Sequence, residues 1–177
     1  MKTIENRDEC LTYIKNQLKI NPNTCEIGFF KGEFSKKIND VLQPKKHYVI
    51  DTFNDQNYMS GDKDGKNYIR QDMTVMEEYS ISLGFKTIKG NSDILISLED
   101  NFDFIYIDAD HSYEWVKKDL NNSLKKINKN GIIAGHDYEQ NEFPGCYRAV
   151  NEFCLENNYE ISIVTNDGCP SFFIMIK

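Results

Sequence analysis

An α/β fold, a three-layer α/β/α sandwich around a mostly parallel sheet, is what this 177-residue sequence predicts. Three observations predict it. Short, continuously apolar runs alternate with segments of helical spacing along most of the chain. Several of those runs close on a glycine or an acid, where a strand would leave the sheet. The chain then finishes with two apolar runs split by "NDGCP" (166–170), a turn signal that implies an antiparallel pair. The length suits one domain over residues 1–177.

Residues 4–20 carry Ile4, Leu11, Ile14 and Leu18 near helical spacing, and Asn21-Pro22 stops that helix. "TCEIG" (24–28) is a buried strand closed by glycine, and "EFSKKINDVL" (33–42) returns to helical spacing until Pro44. "HYVID" (47–51) is a second strand ending in an acid. Residues 52–66 are polar, rich in Gly, Asp and Asn, and without period, so they read as a loop. A helix is expected over 67–83, a strand over 86–89, and a short helix after "GNSD" (90–93). "DFIYID" (103–108) is continuously apolar between its acids, as buried parallel strands are. The helix from 112 buries Val116, Leu120, Leu124 and Ile127; "GIIAGHD" (131–137) is the next strand, and 145–157 the last helix.

A net charge of −7 argues against a nucleic-acid partner, which needs a basic surface. Five cysteines without a C-x-x-C pair read as reduced thiols of a cytoplasmic protein. The charged N-terminus is neither a leader nor a span, and the longest apolar run, "FFIMI", is far too short to cross a bilayer, so no membrane partner is expected.

In a sheet of this kind ligands bind at the carboxyl ends of the strands, near the switch in strand order, and the informative motifs collect there. "EIGFFKGEFS" (26–35) places Glu26, Gly28 and Gly32 at a strand-to-helix turn, with Gly28 allowing the backbone to approach a ligand closely and Gly32 opening the helix. The G-x-x-x-G spacing is not the dinucleotide fingerprint, which opposes an NAD-type oxidoreductase. Asp51, 23 residues past Gly28, is placed to accept the hydroxyls of a ribose. Further on, Asp108, Asp110 and His111 follow one strand, and His136 and Asp137 end the next. Carboxylates gathered so closely call for a neutralising cation, and oxygen-rich ligands favour Mg²⁺, with Mn²⁺ the alternative if His136 ligates. Asp110 or Ser112 also suits capping of the helix that follows.

The set Glu26, Gly28, Gly32, Asp51 and Asn91-Ser92-Asp93 resembles the S-adenosylmethionine site of class I methyltransferases. That resemblance implies a Rossmann-like, seven-stranded sheet with an antiparallel C-terminal hairpin strand. It also implies that Glu26, Gly28 and Gly32 line the cofactor, Asp51 holds the ribose, and Asn91, Ser92 and Asp93 meet the adenine, with Asp108 at the inner edge. "YIDADHSY" followed by "GIIAGHDY" resembles, more narrowly, the metal-dependent O-methyltransferases of the catechol/caffeoyl-CoA type and of the sugar and macrolide branch. By that likeness Asp108, His136 and Asp137 would be metal ligands and His111 the general base, with His136 standing where those families carry a carboxylate. The implied reaction is methyl transfer to a hydroxyl of a small molecule or saccharide. The alternative is a cofactor-binding domain, a partner or sensor, without metal-dependent catalysis. The acceptor pocket is expected to be built from residues 1–20, 52–66 and 138–147; residues 1–20 offer little lid, so it is expected to be open or completed by a second copy of the chain in a homo-oligomer.

Overall fold

The computed structural model describes residues 1–54 and 73–177. The chain begins with β1 (Lys2–Ile4), α1 (Arg7–Lys15), β2 (Asn23–Ile27), α2 (Glu33–Leu42) and β3 (Lys46–Asp51). It continues through α3 (Met73–Ser82), β4 (Lys86–Lys89), a 3₁₀ helix (Ser92–Ser97), β5 (Phe102–Ile107) and α4 (Tyr113–Lys126). It closes with β6 (Ile127–Gly135), α5 (Pro144–Asn157), β7 (Ile161–Thr165) and β8 (Phe172–Met175). The sheet order is β1-β7-β8-β6-β5-β2-β3-β4, and β8 alone runs antiparallel to its neighbours. The α/β fold and the antiparallel C-terminal pairing are as the sequence predicts.

The strand count is not: the sheet has eight strands instead of seven. The extra one, β1, pairs in parallel with β7, Lys2 opposite Ile163 and Ile4 opposite Thr165. Three largely exposed residues carry no periodic signal, and their partner lies at the far end of the chain. Ile4 therefore belongs to a strand, and the first helix starts at Arg7, with the Asn6 side chain accepting the Glu9 N–H at 2.9 Å. Ile127 likewise opens β6, opposite Phe102, instead of ending the preceding helix. The expected helix over 67–83 is seen from Met73, and most of the expected 52–66 loop lies outside the described residues.

All six residues of β5 are buried, which is why its sequence shows no polar alternation. Phe104 and Tyr106 point to the layer of α1 and α2, packing with Leu11, Ile14, Phe34 and Ile38. Ile105 and Ile107 point to the opposite layer, with Val116 and Leu120 of α4 and Val150 and Phe153 of α5. At about 1.5–3 kcal/mol for each large apolar side chain removed from water, this double-faced burial makes β5 the axis of the fold. The neighbours β5 and β2 diverge in connection, β2 leading outward to β3 and β4, β5 leading the other way to β6. The crevice above their carboxyl ends is the switch point. Among the described residues no helix is long and apolar enough to cross a membrane.

Candidate active site

Gly28 follows β2 with φ +93°, and its N–H donates to the Ile50 carbonyl at 2.8 Å. A Cβ added there would lie 1.9 Å from the Asp108 carbonyl oxygen. Where a close approach to a ligand was expected of Gly28, the fold shows a close approach to the end of β5, which locks the first turn against Asp108. Gly32, φ +72°, begins α2, and a Cβ there would run into the Phe29 ring. Glu26 is buried below the turn and accepts the Ser35 hydroxyl. Burial raises its carboxyl to about 8, opposed by the Ser35 bond and assisted by the negative charge of Asp108.

Asp51, the last residue of β3, accepts the Phe29 N–H at 2.7 Å on one oxygen and the Phe53 N–H at 2.8 Å on the other. It therefore ties two turns together, and each oxygen keeps a lone pair for a hydroxyl donor. Phe30 and Phe53 carry left-handed backbone, φ +46° and +45°, a costly conformation for aromatic residues that gathers at this mouth. Gly90, after β4, donates its N–H to the Asp51 carbonyl at 2.8 Å and brings Asn91 alongside. Asn91 caps the 3₁₀ helix by accepting the Asp93 N–H at 3.0 Å. Ser92 is buried and donates to Asp119 of α4, while Asn122 donates to Ser92 and Asp93, and Lys118 pairs with Asp93 at 2.6 Å. Burial raises the Asp119 carboxyl to about 6, against the Ser92 bond.

The ends of β5 and β6 are held by charge. Asp137 is buried, with φ +57°, and its two oxygens face two imidazoles: His111 Nε2 at 2.8 Å and His136 Nδ1 at 3.1 Å. Asp108 lies 3.9 Å from His111 Nε2 and 4.0 Å from His136 Nδ1. Burial lowers the His111 imidazolium, but the neighbouring carboxylates of Asp108 and Asp137 outweigh it and lift the ring to about 9. Burial opposes the Asp137 charge, yet the two histidines hold that carboxyl well below the usual carboxylate range. Asp110 is not among these groups: its Oδ1 accepts the Ser112 N–H at 2.8 Å and shapes the entry to α4. Cys146 donates to the His136 carbonyl at 3.4 Å, and burial pushes its thiol up to about 12.

One participant was not anticipated. Arg7, from the first turn of α1, reaches the same carboxylate, Nη1 to Asp108 Oδ2 at 3.3 Å, with its guanidinium over the Phe34 ring. The N-terminal segment, expected to help build the acceptor pocket, thus reaches the charged cluster itself. The only hint in the sequence is an arginine at the first helical position, where the helix dipole disfavours a cation and the following Asp8 and Glu9 are the ordinary choice. Arg7 and a protonated His111 together offset the two carboxylates, Asp108 and Asp137.

Donor atoms of Asp108, His111 and Asp137 all lie within 4.8 Å of one another, a set of two carboxylates and one imidazole that fits a divalent ion. His136 stands beside that set, on the other oxygen of Asp137. The nucleoside end fits the cofactor equally: a fixed carboxylate at the end of β3, a helix start above a glycine turn, and acids suited to a sulfonium and an amine.

The comparisons agree with this class of protein. The family model described as "Methyltransferase domain" matches residues 25–138, well over half of the chain. No curated protein sequence matches it. Among solved structures, a ribosomal protein L11 methylase from Lactobacillus delbrueckii subsp. bulgaricus superposes with TM-score 0.64 at 16% identity, over 98% of this chain and 81% of that one. An O-methyltransferase from Bacillus cereus in complex with SAH gives 0.64 at 13%, over 95% and 79%. A Methanococcus jannaschii fibrillarin pre-rRNA processing protein gives 0.63 at 12%, over 97% and 76%. At such identities these likenesses concern the fold. The chain belongs to the methyltransferase domain family and is a class I S-adenosylmethionine-dependent methyltransferase.

Proposed function

We propose that this methyltransferase acts on oxygen, transferring the methyl group of S-adenosylmethionine to a hydroxyl of a small molecule or saccharide with help from a divalent cation. The observation that carries the reading is the gathering of Asp108, His111, His136 and Asp137 at the ends of two adjacent strands, next to the turn that ends at Gly32. An alcohol is a poor nucleophile until it loses its proton, and this cluster supplies both a proton acceptor and ligands for a cation. Asp108 and Asp137 of the close donor set would hold Mg²⁺ or Mn²⁺, joined by His136 from the other oxygen of Asp137 in place of His111, and the ion would lower the pKa of a bound hydroxyl. With the charges of Asp108 and Asp137 neutralised in that way, the His111 ring would return toward its ordinary range and take the hydroxyl proton at neutral pH. Asp51 would receive the ribose hydroxyls, and Asn91, Ser92 and Asp93 the adenine edge. Glu26, neutral over most of the physiological range, would support the Gly28–Gly32 turn from beneath. Much of the rate would come from alignment of acceptor and methyl donor. Tyr138, stacked on Tyr147 at 4.8 Å between centroids, and Phe143, edge-on to His111 at 5.0 Å, would form an apolar wall for the acceptor. The net charge of −7 favours a neutral or cationic acceptor over a nucleic acid.

A second reading has its own support. Arg7 and a protonated His111 can balance Asp108 and Asp137 without a metal, which suits a domain that binds the cofactor and does no metal-dependent chemistry. Calorimetric titration with S-adenosylmethionine, with and without Mg²⁺ or Mn²⁺, paired with transfer of labelled methyl to a panel of catechols and sugars, separates the two. Metal-stimulated transfer to a hydroxyl supports the first reading. Cofactor binding that is indifferent to metal, without transfer, supports the second.

A further inference from the structure

We propose that Arg7 grips the carboxylate at the methionine end of the cofactor, a role that rests on this chain binding S-adenosylmethionine. The cofactor is positive at sulfur and at its amine and negative only at that carboxylate. The side chains at the carboxyl ends of β3, β5 and β6 include Asp51, Asp108 and Asp137, which suit the positive atoms and repel the negative one. Arg7 brings a permanent positive charge into this group, 3.3 Å from Asp108 Oδ2.

Its surroundings fix its plane. The guanidinium carbon stands 4.4 Å from the centroid of Phe34, in the first turn of α2. A guanidinium has five N–H donors, so the bond from Nη1 to Asp108 leaves donors for a carboxylate, which it takes two at a time in its own plane. The start of α2, beside the same Phe34, adds backbone N–H groups that favour an anion. Arg7 also keeps 29% of its side chain exposed, unlike the buried Glu26 beneath it. Its position at the first residue of α1 gains nothing from the helix dipole, so the contacts across the crevice are what hold it there. Among the described residues Lys31 is a second cation on the neighbouring turn, but it lies exposed, 5.3 Å from the Phe30 ring.

The test compares two ligands on the full chain by calorimetry: S-adenosylhomocysteine and its decarboxylated analogue, which keeps the amine and lacks only the carboxylate. Arg7→Met should weaken S-adenosylhomocysteine about 10- to 100-fold and the analogue less than about twofold. Arg7→Lys, which keeps the charge and loses the planar fork, should show a smaller loss with the same selectivity, and it carries the test if Arg7→Met does not fold. Lys31→Met should bind both ligands as the natural chain does. Equal weakening of both ligands in the Arg7 variants, no weakening of either, or a carboxylate-selective loss in Lys31→Met instead would overturn the assignment. If the folded natural chain binds neither ligand, the cofactor reading itself fails, an outcome distinct from any result confined to the Arg7 variants.

Discussion

The two halves of the crevice are built on different physics. At the ends of β3 and β4, Asp51 is held by two backbone N–H groups, Asn91 caps a helical turn, and Ser92 and Asp93 are tied to α4 through Asp119, Asn122 and Lys118. These are directional bonds whose partners are part of the fold. At the ends of β5 and β6, Asp108 and Asp137 are held by the side chains of Arg7, His111 and His136, which a ligand can replace. The first half is set before anything binds. The second has its charges balanced internally, and an incoming cation, proton or substrate must exchange with groups already there. Recognition of a constant cofactor suits the first arrangement, and chemistry on a changing acceptor suits the second.

Substitutions confined to one half should therefore leave the other nearly intact. The largest effect is expected for His111→Ala, which should lower turnover by about 10²–10⁴-fold in a methyl-transfer assay while the calorimetric affinity for S-adenosylmethionine changes less than about twofold. Unchanged turnover would remove His111 from the chemistry. Gly28→Ala strikes the joint between the halves: its Cβ would meet the Asp108 carbonyl at 1.9 Å on a backbone of φ +93°. A loss of roughly 2–4 kcal/mol in chemical denaturation is expected, because neither backbone can yield without disturbing the other. Asp51→Ala should act on the nucleoside half alone, weakening cofactor affinity about 10- to 100-fold at similar turnover under saturation. A fall in saturated turnover as large as that of His111→Ala would break the division.

The smallest expected effect concerns the floor common to both halves. The Glu26 carboxyl stands at about 8 in the folded chain against 4.5 for an unperturbed group, so the folded state binds its proton more tightly. Its contribution to stability is full below the unfolded value and is lost as pH rises through the folded one. His111, raised from 6.5 to about 9, adds a decline of the same sign. His47, lowered to about 3 by burial, has the opposite sign and acts only below about pH 6.5. Between pH 6.5 and 9, in the absence of divalent ions, stability should fall, and Glu26→Gln should remove about 2 kcal/mol of that fall. An unaltered slope in denaturation midpoints would show that Glu26 is already ionised.

Much of this was legible in the residues. "DFIYID" reads as a buried strand because six consecutive residues, Phe102–Ile107, are covered on both faces, and the hairpin reads from its turn. The strand-end residues Gly28, Asp51, Asp108 and Asp137 were found because parallel strands must release their carboxyl ends to one edge. β1 was not, since a three-residue edge strand is specified by its partner β7 and by nothing in its own pattern.

The sequence by itself determined the alternation of elements, the class of the sheet and which side chains stand at its carboxyl edge, because those follow from local periodicity and chain direction. Tertiary structure alone decided what those side chains do to one another. It is only in the folded chain that Arg7 meets Asp108 across a separation of 101 residues. There too Glu26 becomes a buried, weakly acidic support, and the glycine of the first turn yields to a carbonyl of β5's end. Charge balance and burial are sums over neighbours distant in the chain, and a linear pattern does not contain them.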